Sequence, residues 1–106
     1  MINWGLLNYA DYESHAIIQQ LFKAQYPLGR LAEHGDSVAH DICIDLENAY
    51  QSAGLSDKQK EYITMLVVGY TQNEIGIMCE RKQQSVSKAI IRGCKKVSNF
   101  LEKRLY

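Results

Sequence analysis

Five apolar positions near the C-terminus recur at helical spacing: Val86, Ile90, Cys94 (or its neighbour Gly93), Val97 and Leu101. Separations of three and four residues put them on one stripe of an α-helix running from about Gln83 to Lys103. That stripe is a core face, and the rest of the chain has to cover it. One proline and seven glycines in 106 residues leave few interruptions, and 46% of the chain is hydrophobic. We therefore expect an all-α fold of about five helices. The last two would form a helix-turn-helix whose second, long helix is the recognition helix.

Upstream, Tyr12, Ala16, Ile17, Leu21 and Ala24 are spaced for a first helix over residues 10–25, with Asp11 and Glu13 in its first turn. Tyr26-Pro27 predicts its end, because the residue before proline avoids the α region. Residues 27–35 read as a connection, with a short helix around Leu28 to Ala32 as an alternative. Asp36 or Ser37 then caps a second helix with core positions Val38 or Ala39, Ile42, Leu46, Ala49 and Tyr50. Gly54 is its stop. Ser56 caps a third helix with Tyr62, Ile63, Leu66 and Val67 inward, ended by Gly69.

Thr71 and Glu74 form a Thr-x-x-Glu capping box at the start of a fourth helix. Ile75 and Met78 or Cys79 point inward from it. Gly76 is expected where two helices cross closely. Glu80-Arg81-Lys82 is the turn into the long helix. We divide the chain into an N-terminal helical extension over residues 1–35, for a partner or dimer contact, and a helix-turn-helix domain over 36–106.

A net charge of zero conceals an asymmetry. Residues 1–54 hold Lys23 and Arg30 against seven acids, a net −5, and residues 55–106 hold ten basic residues against five acids, a net +5. The C-terminal half is suited to a polyanion. The three cysteines, Cys43, Cys79 and Cys94, are widely spaced and form no Cys-x-x-Cys pair. They read as small buried hydrophobes, and no metal site or cofactor is expected. There is no glycine-rich phosphate loop, nucleophile motif or paired catalytic carboxylate, so an enzyme is not expected. No apolar run approaches the ~20 residues of a membrane span. The start of the chain has neither a basic segment nor a cleavage site, which predicts a cytoplasmic protein.

Several motifs together resemble region four of bacterial sigma factors of the sigma-seventy family. They are Leu55-Ser56-x-x-Gln59, Gly69-Tyr70-Thr71-Gln72-x-Glu74-Ile75-Gly76, Gln83-Gln84-Ser85-Val86-Ser87-Lys88 and Lys95-Lys96. The resemblance covers about residues 37–104. It is strongest to the small sigma-like regulators of phages and prophages, which tend to carry Asn-Trp and Asp-Tyr-Glu motifs near the N-terminus, as Asn3-Trp4 and Asp11-Tyr12-Glu13 do here. It implies a helix-turn-helix that reads a promoter −35 element and a contact with the β-flap of RNA polymerase. The family's turn reads Leu-Gly-Val-Ser, whereas this chain has Cys79-Glu80-Arg81-Lys82. Glu80 therefore stands where a left-handed backbone favours glycine, at a cost of about 1 kcal/mol. The 106 residues hold no separate segment to melt a −10 element, so a complete initiation factor is not expected.

The candidate DNA-binding residues follow from this arrangement. Gln83, Gln84, Ser87 and Lys88 open the long helix, where bases are read; glutamine pairs with adenine and lysine donates to guanine. Arg92, Lys95 and Lys96 lie one to two turns on and are suited to phosphates. Arg81 and Lys82 could clamp phosphate at the turn. Thr71 and Gln72 sit at a helix N-terminus, which favours a phosphate oxygen. The partners expected are double-stranded DNA, with RNA polymerase or a second copy of the chain supplying further contact, and no membrane. The acidic N-terminal half, with Trp4, Tyr9, Tyr12, Ile17, Leu21 and Phe22, is the natural place for that contact. Alternative readings are a small-terminase-like DNA-packaging component and a polymerase-binding protein that redirects host transcription.

Overall fold

The computed structural model describes residues 14–104, with side-chain environments for 15–103. Over that range the chain forms six α-helices and no strand: α1 (Ser14–Lys23), α2 (Gln25–Glu33), α3 (Ser37–Ser52), α4 (Asp57–Val68), α5 (Gln72–Met78) and α6 (Gln83–Arg104). The helix that anchors the sequence pattern is the organising element. Val86, Ile90, Cys94, Val97 and Leu101 are all fully buried, and α1, α3, α4 and α5 each pack against α6. Burying a side chain of this size contributes about 1.5–3 kcal/mol, so the stripe is a principal source of stability. Ile63 and Leu66 from α4, Leu46 and Ala49 from α3, and Ile75 from α5 complete the same cluster.

The first third of the chain departs from expectation. Residues 27–35 are not a plain connection: α2 covers the short helix considered around Leu28 to Ala32 and extends beyond it, and the break from α1 falls at Ala24 rather than at Tyr26-Pro27. Pro27 sits in the first turn of α2, where backbone N–H groups have no intrahelical partner, so its missing donor costs nothing. The buried face of α1 also differs. Ile18 and Phe22 enter the core, while Ala16 and Ile17 are exposed and Leu21 lies at the core edge. The Ile18–Phe22 pair removes more apolar area from water than a face containing Ala16 would, and that difference sets the rotation of the helix. Tyr12, Trp4 and Tyr9, which the sequence reading assigned to the first helix or to the partner contact, lie outside the described residues.

The caps downstream form as expected. The Asp36 side chain accepts from Ala39 N at 2.9 Å and starts α3. Ser56 starts α4 in a full capping box: Ser56 Oγ accepts from Gln59 N at 3.1 Å and Gln59 Oε1 accepts from Ser56 N at 2.9 Å. Ala39, rather than Val38, is the buried member of the first turn of α3. Gly69 ends α4 at φ +120°, a conformation open to glycine and strained for other residues. None of the described helices is long and apolar enough to cross a membrane.

Candidate nucleic-acid interface

The site is built from α5, the turn after it and the exposed side of α6. Thr71 starts α5 with reciprocal bonds: Thr71 Oγ1 accepts from Glu74 N at 3.2 Å, and Glu74 Oε1 accepts from Thr71 N at 3.0 Å. These bonds hold the Glu74 carboxyl below its ordinary range, the backbone N–H of Thr71 being the larger cause and its hydroxyl the second. Ile75 and Gly76 are buried beneath this turn.

Gly76 fixes how the chain leaves α5. Its carbonyl accepts from Arg81 N at 2.8 Å, and a Cβ built on it would stand 2.8 Å from the Arg81 carbonyl oxygen. The close approach expected at Gly76 is thus made by the backbone of the turn, with Gln83 N next at 3.5 Å. Glu80 takes φ +55°, the left-handed conformation expected there from the missing glycine. Below the turn, Cys79 Sγ donates to Glu61 Oε1 at 3.2 Å and rests 3.9 Å from Met65 Sδ. The bond to Glu61, with burial second, raises the Cys79 thiol above its ordinary value. Cys94 is pushed up to about 12 by burial alone. Met78, the other residue considered inward on α5, is exposed, and half-buried Cys79 takes that role.

Lys82 precedes α6, and its carbonyl accepts from Ser85 N and Val86 N. Its ammonium carries no acceptor, so it cannot cap the helix as a serine would. From there the expected residues divide into three groups. Gln84, Lys88, Arg92 and Lys95 are all exposed and share one side of α6, opposite the buried stripe. At 1.5 Å per residue they span roughly 16 Å, enough to cross the ~12 Å major groove. Arg81 and Lys82 are exposed on the turn. Thr71, Gln72 and Gln83 line a separate groove beside Gly69, Tyr70 and Lys23. Ser87 is half-buried between the first and third groups.

Lys96 does not join its neighbours. Its Nζ donates to Gly54 O at 3.1 Å and to Gln59 Oε1 at 3.0 Å, so it ties α6 to the α3–α4 connection. In the helical projection it falls about 100° from Lys95, which turns it from the exposed stripe toward α4. Lys23 is the converse case, a basic residue of the acidic half that the fold brings beside Thr71, Gln72 and Gln83. Its only sequence signal was being one of two cations in residues 1–54.

The chain matches no family model, no curated protein and no solved structure. Among the described residues no group of His, Cys, Asp or Glu side chains is placed to hold a metal ion. The chemistry on offer at α5–α6 is that of amide, hydroxyl and cationic donors on a rigid helix. It suits noncovalent recognition of an anionic, hydrogen-bonding surface.

Proposed function

We propose that this protein is a sequence-reading DNA-binding transcription regulator of the sigma region-four type. Its helix-turn-helix would be α5, the Cys79–Lys82 turn and α6, with α6 as the recognition helix in the major groove. The observation that carries this reading is the two-sided character of α6. One face is wholly buried, and the other presents Gln84, Lys88, Arg92 and Lys95 in an exposed row. Gln84 and Lys88 are the base readers in this proposal, and Arg92 and Lys95 contact phosphates beyond them. Arg81 and Lys82 clamp the backbone at the turn.

A single module of this kind buries roughly 600–1,000 Å² on DNA and binds weakly alone at physiological salt. A second contact, with polymerase or with another copy of the chain, completes the affinity. Recovery of bound fragments from genomic DNA, run beside native mass measurement, tests the whole reading. The expected result is one recurrent motif. A palindrome and a dimeric mass would identify self-association as the second contact, and an asymmetric site with a monomeric mass would identify polymerase. Fragments without a shared motif, from a stable monomer, would overturn the sequence-reading function.

A further inference from the structure

A pair of grooves on the described surface differ in charge. One, of about 300 Å³, is lined by Phe22, Leu46, Tyr50, Val67 and polar neighbours that include Glu47, with no lysine or arginine. The other, of about 380 Å³, lies between the end of α1 and the start of α6 and is lined by Lys23, Leu66, Tyr70, Thr71, Gln72 and Gln83, together with Gly69. Its lining residues bring a cation, two hydroxyls and two amides, and no carboxylate.

We infer that this second groove takes a backbone phosphate of the bound duplex, with Lys23 as its cation. The inference rests on the DNA-binding reading of α6 and extends the interface to a helix outside α5 and α6. Three observations support it. Gln83, the first residue of α6, lines the groove together with Lys23, Thr71 and Gln72, so the groove reaches the end of α6 from which Gln84 and Lys88 project. Lys23 is exposed, and its charge can meet a solvent-facing phosphate without first being drawn out of a core. The N-terminal half has only two cations, and Arg30, on α2, lines neither groove. Lys23 also occupies the last turn of α1, where the helix dipole favours positive charge. That structural role would be the same with or without DNA, so the test has to read ions released on binding.

The experiment measures affinity for the selected duplex against salt concentration for the wild type, Lys23→Ala, Lys23→Arg and Arg30→Ala, with Lys88→Ala alongside. Lys23→Ala should flatten the slope of log affinity against log salt by about one ion and weaken cognate and random duplexes equally. Lys23→Arg should restore the slope, and Arg30→Ala should leave it unchanged. An unchanged slope in Lys23→Ala, while Lys88→Ala still loses its preference for the cognate site, overturns the groove and leaves the DNA-reading function standing. An equal change in Arg30→Ala also overturns it, because net charge rather than the groove would then be responsible. A wild type that binds no duplex removes both.

Discussion

The Gly76 carbonyl oxygen accepts the Arg81 N–H at 2.8 Å, and the Arg81 carbonyl returns to within 2.8 Å of where a Gly76 Cβ would stand. The turn between α5 and α6 is closed on that glycine. Both contacts are backbone, so no side chain can swing aside to admit a methyl group. Gly76→Ala should destabilise the fold by about 1–3 kcal/mol, the usual range for forcing extra volume into a packed site. Denaturant unfolding measures it. A loss below about 0.5 kcal/mol would mean that the turn yields easily and that its geometry is not set at Gly76.

Glu80 offers the opposite change. It holds φ +55° without the freedom of glycine. Glu80→Gly should stabilise the protein by up to about 0.5 kcal/mol, the strain relieved less the added entropy of the unfolded chain. A rise in the unfolding midpoint at constant denaturant slope is the expected readout. A fall would show that the Glu80 side chain contributes more than its backbone costs.

Lys96 and Lys95 are adjacent in sequence and should separate in experiment. Lys96 Nζ bonds Gly54 O and Gln59 Oε1, whereas Lys95 is exposed on the row with Lys88 and Arg92. Lys96→Ala should cost about 1–2 kcal/mol of stability, the range for hydrogen bonds from a charged donor in a half-buried place, and leave the salt dependence of DNA binding unchanged. Lys95→Ala should do the reverse. If Lys96→Ala alters the salt slope and not the stability, the tie to the α3–α4 connection is not made in solution.

Those two lysines show where the sequence was readable. The apolar period of α6 identified its five buried hydrophobic side chains, though not buried Ser98, because a 22-residue helix repeats its face often enough to average out exceptions. The capping residues Asp36, Ser56 and Thr71 were readable for a different reason: each bond spans only three residues. The left-handed turn could be placed at Glu80 by comparison with a glycine-bearing motif. The α1 face, the α2 start and the fate of Lys96 were not readable. Each depends on which distant segment lies alongside, and a ten-residue helix such as α1 carries too few apolar positions to fix its own rotation. Lys23 escaped notice for the same reason, since its neighbours in the groove run from Leu66 to Gln83, more than forty residues further along the chain.

The α5 cap should titrate. Glu74 has an ordinary value of 4.5 and is shifted down in the folded protein by its bonds from Thr71. A depressed carboxyl contributes stability above its unfolded value and loses that contribution as pH falls through the folded one. The cap is therefore complete at neutral pH and opens on acidification, with a midpoint below 4.5. The amide resonance of Thr71, followed by NMR between pH 6 and 2, should move with that midpoint. Glu74→Gln should hold the amide position constant across the same range, since glutamine also serves at this place in a capping box. A midpoint above 4.5 in the wild type would mean that the Thr71–Glu74 bond is not formed.

Lys88 and Arg92 stand one turn apart on the exposed side of α6 and should fail in different ways. A base contact discriminates between sequences, and a phosphate contact does not. Lys88→Ala should weaken binding to the selected duplex by roughly 1–3 kcal/mol and leave random duplex nearly untouched, because a lysine at guanine O6/N7 loses a contact that only the right base offers. Arg92→Ala should weaken both duplexes alike and flatten the salt slope by about one ion. The two substitutions lie on a solvent face, so neither should change the unfolding midpoint by more than about 0.5 kcal/mol equivalent. Equal losses on both duplexes for Lys88→Ala would take Lys88 out of the base-reading set. An unchanged slope for Arg92→Ala would place the phosphates elsewhere, and the polarity of α6, bases near its start and backbone beyond, would have to be reversed.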